Sequence, residues 1–262
     1  VFYTTTIMAT SKQIIAAFAQ TFEDKAYALA MWQGGAASFN RTDEWSDLDL
    51  MLIVNDGMEQ EAMNQTVWLL QKEFGIDTKF DIDPPHWPGM TQTFFRLKNT
   101  SPFLLIDFSI LPVSATSKFA EPEIHGHAVV VFDKPGIIAN TAPVDEAQLR
   151  KTLRARILLQ RKKQEIFWVM VDKEINRQSA TDAFIFYWSY TVAPLIEMFR
   201  IKHSPHHWNF GSRYLSKHLP ADIATRLQAL FFVKDLPDLI QKNKEARVWF
   251  SLAAQEAEES LM

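Results

Sequence analysis

Asp47 and Asp49, two residues apart in Ser46-Asp47-Leu48-Asp49, are the side chains of this sequence best spaced to do chemistry. In an extended segment, residues i and i+2 point to the same side. Both acids therefore face one way, while Leu48, Leu50 and the apolar run to Val54 supply core. A pair of hard oxygen ligands suits a magnesium ion carrying a polyphosphate. Upstream, Gly34 and Gly35 lack the Cβ that would keep a backbone away from phosphate oxygens. Ser38 offers the intervening loop a hydroxyl that either reaches a phosphate or is simply solvated. Ser46 is expected to orient the loop by local hydrogen bonding, and Asp43 and Glu44 are read as solvated charges.

Taken in order, the glycine pair, the loop and a D-x-D opening an apolar strand resemble the signature of the DNA polymerase β-like nucleotidyltransferase superfamily. Within it the chain looks most like the bacterial aminoglycoside and lincosamide nucleotidyltransferase-type proteins. The resemblance implies an α+β nucleotidyltransferase domain with a mixed sheet, followed by a C-terminal helical bundle. It implies magnesium-dependent transfer of a nucleoside monophosphate, AMP from ATP foremost, to a hydroxyl of a small molecule such as an aminoglycoside-like antibiotic, and hence antibiotic resistance. Asp47 and Asp49 would be catalytic metal ligands, with Gly34, Gly35 and Ser38 on the nucleotide. Many relatives carry an arginine shortly after the glycine pair; here those places hold Ala37, Ser38 and Phe39, and Arg41 is the candidate for that phosphate contact. The superfamily adds a third carboxylate on a neighbouring strand, as metal ligand or general base. Asp107, the one charged residue in 103–111, is the leading candidate, because a carboxylate in so apolar a run is costly unless paired or metal-bound. Asp81 and Asp83, before Pro84, are its rivals.

The elements that must hold these residues follow from periodicity. Ile14, Ile15, Phe18 and Phe22 recur on one helical face behind Ser11, a candidate N-cap, and predict a helix over 11–22. Strands are predicted over 26–33, feeding the glycine pair, and over 47–54. Asn55-Asp56-Gly57 then turns into a helix over 58–74, ended by Gly75. Residues 76–82 read as a strand stopped by Pro84-Pro85. Further extended runs cover 91–97, 103–111 and 124–132, the last at an edge. Residues 144–176 contain neither glycine nor proline and read as one long helix. Helices also cover 182–201, kinked at Pro194, then 213–217, 221–233 and 236–261. The boundary near 134–144 gives a nucleotidyltransferase domain over 1–140 and a helical domain over 141–262.

Composition bounds the function. With 262 residues and 47% apolar content the chain can bury a real core. Without cysteine it holds neither disulfides nor a thiolate metal site. A net charge of −4 argues against a nucleic-acid partner. No apolar run approaches the ~20 residues that span a bilayer. The opening segment 1–7 lacks the basic head and long apolar centre of a secretory signal; it reads as an added edge strand or as residues ahead of a start at Met8. The expected setting is cytoplasmic. The expected partners are a nucleoside triphosphate and a small-molecule hydroxyl acceptor, with no membrane, and the oligomeric state is left open.

Several tempting features have plainer readings. His86-Trp87-Pro88 and Phe94-Phe95 either stack on a base or sugar ring or fill core. His203-Ser-Pro-His206-His207-Trp208 lacks the spacing of a helical zinc site and reads as a histidine-rich loop between helices, lining the acceptor pocket. Arg150, Arg154 and Arg161 share one face of the long helix. That face either receives the triphosphate or is a solvated surface balanced by Glu256, Glu258 and Glu259. Trp168, Phe184, Phe186, Tyr187 and Trp188 read as core. The competing functions are nucleotidyl transfer to RNA or protein, as in toxin and antitoxin relatives, and a non-catalytic nucleotide-binding regulator.

Overall fold

Helix and strand signals alternate through the first half of the chain and give way to helix alone in the second. The computed structural model describes residues 8–262, so the opening segment 1–7 lies outside the described residues. The chain divides into two compact units, Val1–Pro143 and Val144–Met262.

In the first unit, α1 (Ser11–Phe22) buries Ile14, Phe18 and Phe22. Its N-cap is Thr10 rather than Ser11: the Thr10 side chain accepts from the Gln13 N–H, and Gln13 reaches back to the Thr10 N–H. This reciprocal pair needs Thr-x-x-Gln, which only Thr10 provides. The elements β1 (Ala28–Gln33), α2 (Gly35–Ser38), β2 (Leu48–Val54), α3 (Glu59–Glu73), β3 (Ile76–Asp81), β4 (Thr91–Leu97), β5 (Ile106–Pro112), α4 (Pro122–His125) and β6 (Val129–Asp133) follow. The extended run expected from residue 124 instead opens as a helical turn with Pro122 at its first position, where proline's missing N–H costs nothing.

Among the described residues the strands form one mixed sheet in the order β3-β4-β5-β2-β1-β6. The pair β2 and β5 is parallel and every other pair is antiparallel. The architecture is α+β, with helical and sheet layers as alternation implies. One sheet face carries Leu48, Leu50, Phe95, Ile106 and Phe108 against α1 and α3. The other buries Trp32, Ile53 and Leu111 in a smaller cluster.

The second unit is helical: α5 (Glu146–Asn176), α6 (Ala180–Tyr187), α7 (Ala193–His203), α8 (Leu215–His218), α9 (Ala221–Phe231) and α10 (Leu236–Glu259). The helix expected over 182–201 is interrupted by a π turn at Trp188–Val192, immediately ahead of Pro194. Proline can donate no N–H to the carbonyl four residues back. That carbonyl belongs to Tyr190, and the Trp168 indole donates to it at 3.1 Å. Tyr187 is wholly buried and its hydroxyl donates to Leu230 O at 3.0 Å, whereas Phe184, expected in the core, stands exposed. Among the described residues no helix is long and apolar enough to cross a membrane.

Candidate active site

The parallel register of β2 and β5 brings two distant carboxylates together. Asp49 and Asp107 are direct cross-strand partners, on adjacent strands roughly 4.8 Å apart, and partners in such a pair project to the same face. The alternation around them explains why that face is theirs: Leu48 and Leu50, and likewise Ile106 and Phe108, are buried on the opposite side. Asp47 stands at the exposed entry to β2. It is near enough that its charge raises the pKa of Asp107.

The glycine pair is built around Asp49. The Gly34 N–H donates to Asp49 O at 2.9 Å, so this donor serves the backbone rather than a phosphate. Gly35 has φ +57°, a left-handed conformation that favours glycine. A Cβ there would lie 1.8 Å from Asp49 Oδ2 and 2.5 Å from its Cγ. Gly34 has no such need, since the nearest atom to its Cβ would be 3.9 Å away. Each glycine therefore has a structural role of its own. Gly35 makes room for a carboxylate, and Gly34 pins the strand that carries it.

Ser38 departs from the loop hydroxyl that was expected. It closes α2, is buried, and its hydroxyl donates inward to Gln33 O at 3.4 Å. The Ser38 carbonyl accepts from the His127 N–H at 2.9 Å, and the Gly126 backbone packs so closely on it that a Cβ would lie 2.6 Å from the oxygen. Arg41 is exposed just beyond α2, its guanidinium 4.9 Å from the Phe39 ring centroid. Ser46 acts as its spacing suggests: its hydroxyl donates to Asp43 Oδ1 at 2.7 Å and accepts from the Asp43 N–H at 2.9 Å. These bonds, with one from the Trp45 N–H, hold the Asp43 carboxyl below the usual carboxylate range.

Asp107 has a partner that strand alternation alone does not reveal. Gln92 Nε2, reaching from β4, donates to both carboxylate oxygens, at 2.8 and 3.0 Å. Burial pushes the Asp107 pKa up, the Gln92 bonds oppose this, the Asp47 charge adds to it and His86 opposes it. Burial also raises Asp47. Asp81, by contrast, is held down by Lys79 at 2.7 Å and by the Thr93 hydroxyl at 2.7 Å. Asp83 is exposed beside Pro84.

Among the described residues, no three His, Cys, Asp or Glu side chains converge as a metal cluster. The donors themselves are hard carboxylate oxygens, two of them aligned by register and a third within electrostatic reach, a donor chemistry that suits a hard cation such as magnesium. In the helical unit, two members of the basic face of α5 are engaged, Arg161 with Glu258 at 2.9 Å and Arg154 donating to Leu261 O at 2.5 Å, and Arg156, elsewhere on the helix, pairs with Glu197 at 2.7 Å. The histidine-rich segment is a turn in which His206 meets Glu146 at 2.7 Å and His207 stacks on His218 at 4.4 Å. Comparison with models of known families matches none, and comparison with curated proteins finds no relative.

Proposed function

We propose that this protein is a nucleotidyltransferase that moves AMP from ATP to a hydroxyl of a small molecule. The observation that carries the reading is the cross-strand pairing of Asp49 with Asp107, with Gly35 shaped around the Asp49 carboxylate. Asp47 and Asp49 would hold magnesium, which when bound neutralises polyphosphate charge and polarises the phosphoryl oxygens, leaving Asp107 beside them as the base. Asp107 receives the proton of the acceptor hydroxyl on a carboxylate oxygen. The freed oxygen forms a bond to the α-phosphorus as the bond to the β-phosphate oxygen breaks, and pyrophosphate departs. Burial raises the basicity of Asp107 above that of an ordinary carboxylate, the direction a general base needs, and Gln92 fixes its orientation.

Transfer to RNA is the weaker alternative, because a net charge of −4 argues against the extended cationic track that RNA binding needs. The test is pyrophosphate release from ATP with magnesium against aminoglycosides, lincosamides, bulk tRNA and no acceptor. Release that requires one small molecule and vanishes in Asp49→Asn supports the reading. Undiminished release by Asp49→Asn would refute the site, and release with tRNA alone would refute the acceptor class.

A further inference from the structure

Two aromatic side chains stand exposed where the chain enters the carboxylate strands, and they touch. Trp45 is 58% and Phe103 56% exposed. Their rings meet edge to face with centroids 4.6 Å apart and planes at 72°. Trp45 lies two residues before Asp47, at most about 7 Å along the chain, and Phe103 lies four residues before Asp107. Paired aromatic rings left open to water at the entry to the carboxylate strands offer a flat apolar surface to a ligand.

The pair is held in place by its own loops. The Trp45 N–H donates to Asp43 Oδ1 at 3.1 Å, in the turn that Ser46 closes. The Phe103 N–H donates to Ser101 Oγ at 3.3 Å, and the Leu104 N–H to Ser101 O at 3.0 Å. The Leu48 N–H donates to Leu105 O at 2.8 Å, clipping the two loops together where they become β2 and β5. Edge-to-face contact uses one ring's edge and leaves flat π surface open. Such surface is what a planar base stacks on, with little dependence on the base's hydrogen-bonding edge.

We propose that Trp45 and Phe103 form the stacking platform for the nucleobase of the donor triphosphate, favouring purines through their larger ring area. The inference rests on the nucleotidyl-transfer reading above. It is tested by calorimetric titration with magnesium and no acceptor, using ATP, CTP and inorganic tripolyphosphate. Trp45→Leu should weaken ATP by about 5- to 150-fold, the range for one lost base stack, and leave tripolyphosphate unchanged. Phe103→Leu should weaken ATP in the same selective way, and Trp45→Phe should keep most of the affinity. The wild-type preference for ATP over CTP should shrink in Trp45→Leu. Unchanged ATP binding in both leucine variants, or equal losses for ATP and tripolyphosphate, would overturn the platform while leaving nucleotidyl transfer standing. Unchanged ATP binding with a raised acceptor KM would overturn it by giving the rings to the acceptor. A wild-type protein that binds neither ATP nor tripolyphosphate would overturn the platform and the transfer reading together.

Discussion

Replacing Gly35 with alanine separates two costs that glycine substitutions usually mix. The new methyl would start 1.8 Å from Asp49 Oδ2 and 2.5 Å from Cγ, so the carboxylate must move by about 1 Å or more, a displacement that costs on the order of 100-fold in rate at a catalytic centre. The left-handed backbone adds about 1–2 kcal/mol against folding. For a chain of this size each kcal/mol corresponds to about 2–4 °C in Tm. Gly57→Ala is the matched control, because Gly57 has φ +83° but nothing within 4 Å of its Cβ position. Gly57→Ala should lose a few degrees in a thermal melt and Gly35→Ala at least as many, and Gly35→Ala alone should lose pyrophosphate release, by about 100-fold. Gly34→Ala, with its nearest atom at 3.9 Å, should retain turnover. Full turnover in Gly35→Ala would show that the contact between this glycine and Asp49 has no part in the chemistry.

Two further substitutions probe groups that no spacing rule singles out. Gln92→Leu removes the donor to both Asp107 oxygens; a lost hydrogen bond to a charged group is worth about 1.5–3 kcal/mol, so kcat should fall about tenfold or more. The acidic limb of the pH–rate profile should move upward, because Gln92 holds the Asp107 pKa down; an unmoved limb would make Gln92 merely structural. Arg200 is wholly buried, and its guanidinium donates to the carbonyls of Gly211, His207 and Arg213 and to His218 Nδ1. Since arginine cannot accept, His218 must carry its proton on Nε2. Arg200→Met leaves three carbonyls without their donor at about 1–3 kcal/mol each, and a Tm drop under about 5 °C would refute its role as the organiser of that loop.

The parts legible in the sequence were those set by neighbours along the chain. The apolar run after Asp47 marked a strand that the structure has at Leu48–Val54, with Asp49 inside it and Asp47 just ahead of it, and 91–97 was delimited correctly by its alternation and the turn residues around it. Asp107 was singled out because its run is otherwise apolar, an argument from burial cost alone. Its pairing with Asp49 was not legible, because register between strands far apart in sequence is set by tertiary packing. Gln92 escaped notice for the same reason: a glutamine in Thr-Gln-Thr-Phe-Phe is ordinary until β4 lies beside β5. Ser38 misled because its three-dimensional neighbours, Gly126 and His127, are distant in sequence. The π turn at 188–192 answers Pro194, yet proline alone signals an interruption and not its form.

A site assembled this way should weaken the fold that carries it, and Asp107→Asn exposes the cost. Burial first, and the Asp47 charge after it, raise the Asp107 pKa above its ordinary value of 3.8. A carboxyl with a raised folded-state pKa releases its proton more readily in the unfolded chain, so it opposes folding at any pH above that folded value. The penalty fades as the pH falls through the folded pKa and is gone below about 3.8. This is the reverse of a salt-bridged carboxylate such as Asp81, whose contribution is lost on acidification. An asparagine can still accept from Gln92 Nε2, and its amide can donate to Gln92 Oε1, which is buried without a protein partner. With a chelator and no nucleotide, Asp107→Asn should melt higher than wild type at pH 7; in a separate assay with ATP, magnesium and acceptor it should release no pyrophosphate. The gap should close as the buffer approaches pH 4. A variant that melts lower at pH 7, or a gap that does not change with pH, would mean that Asp107 is a satisfied structural acid, and the third carboxylate would have to be sought at Asp81 or Asp83.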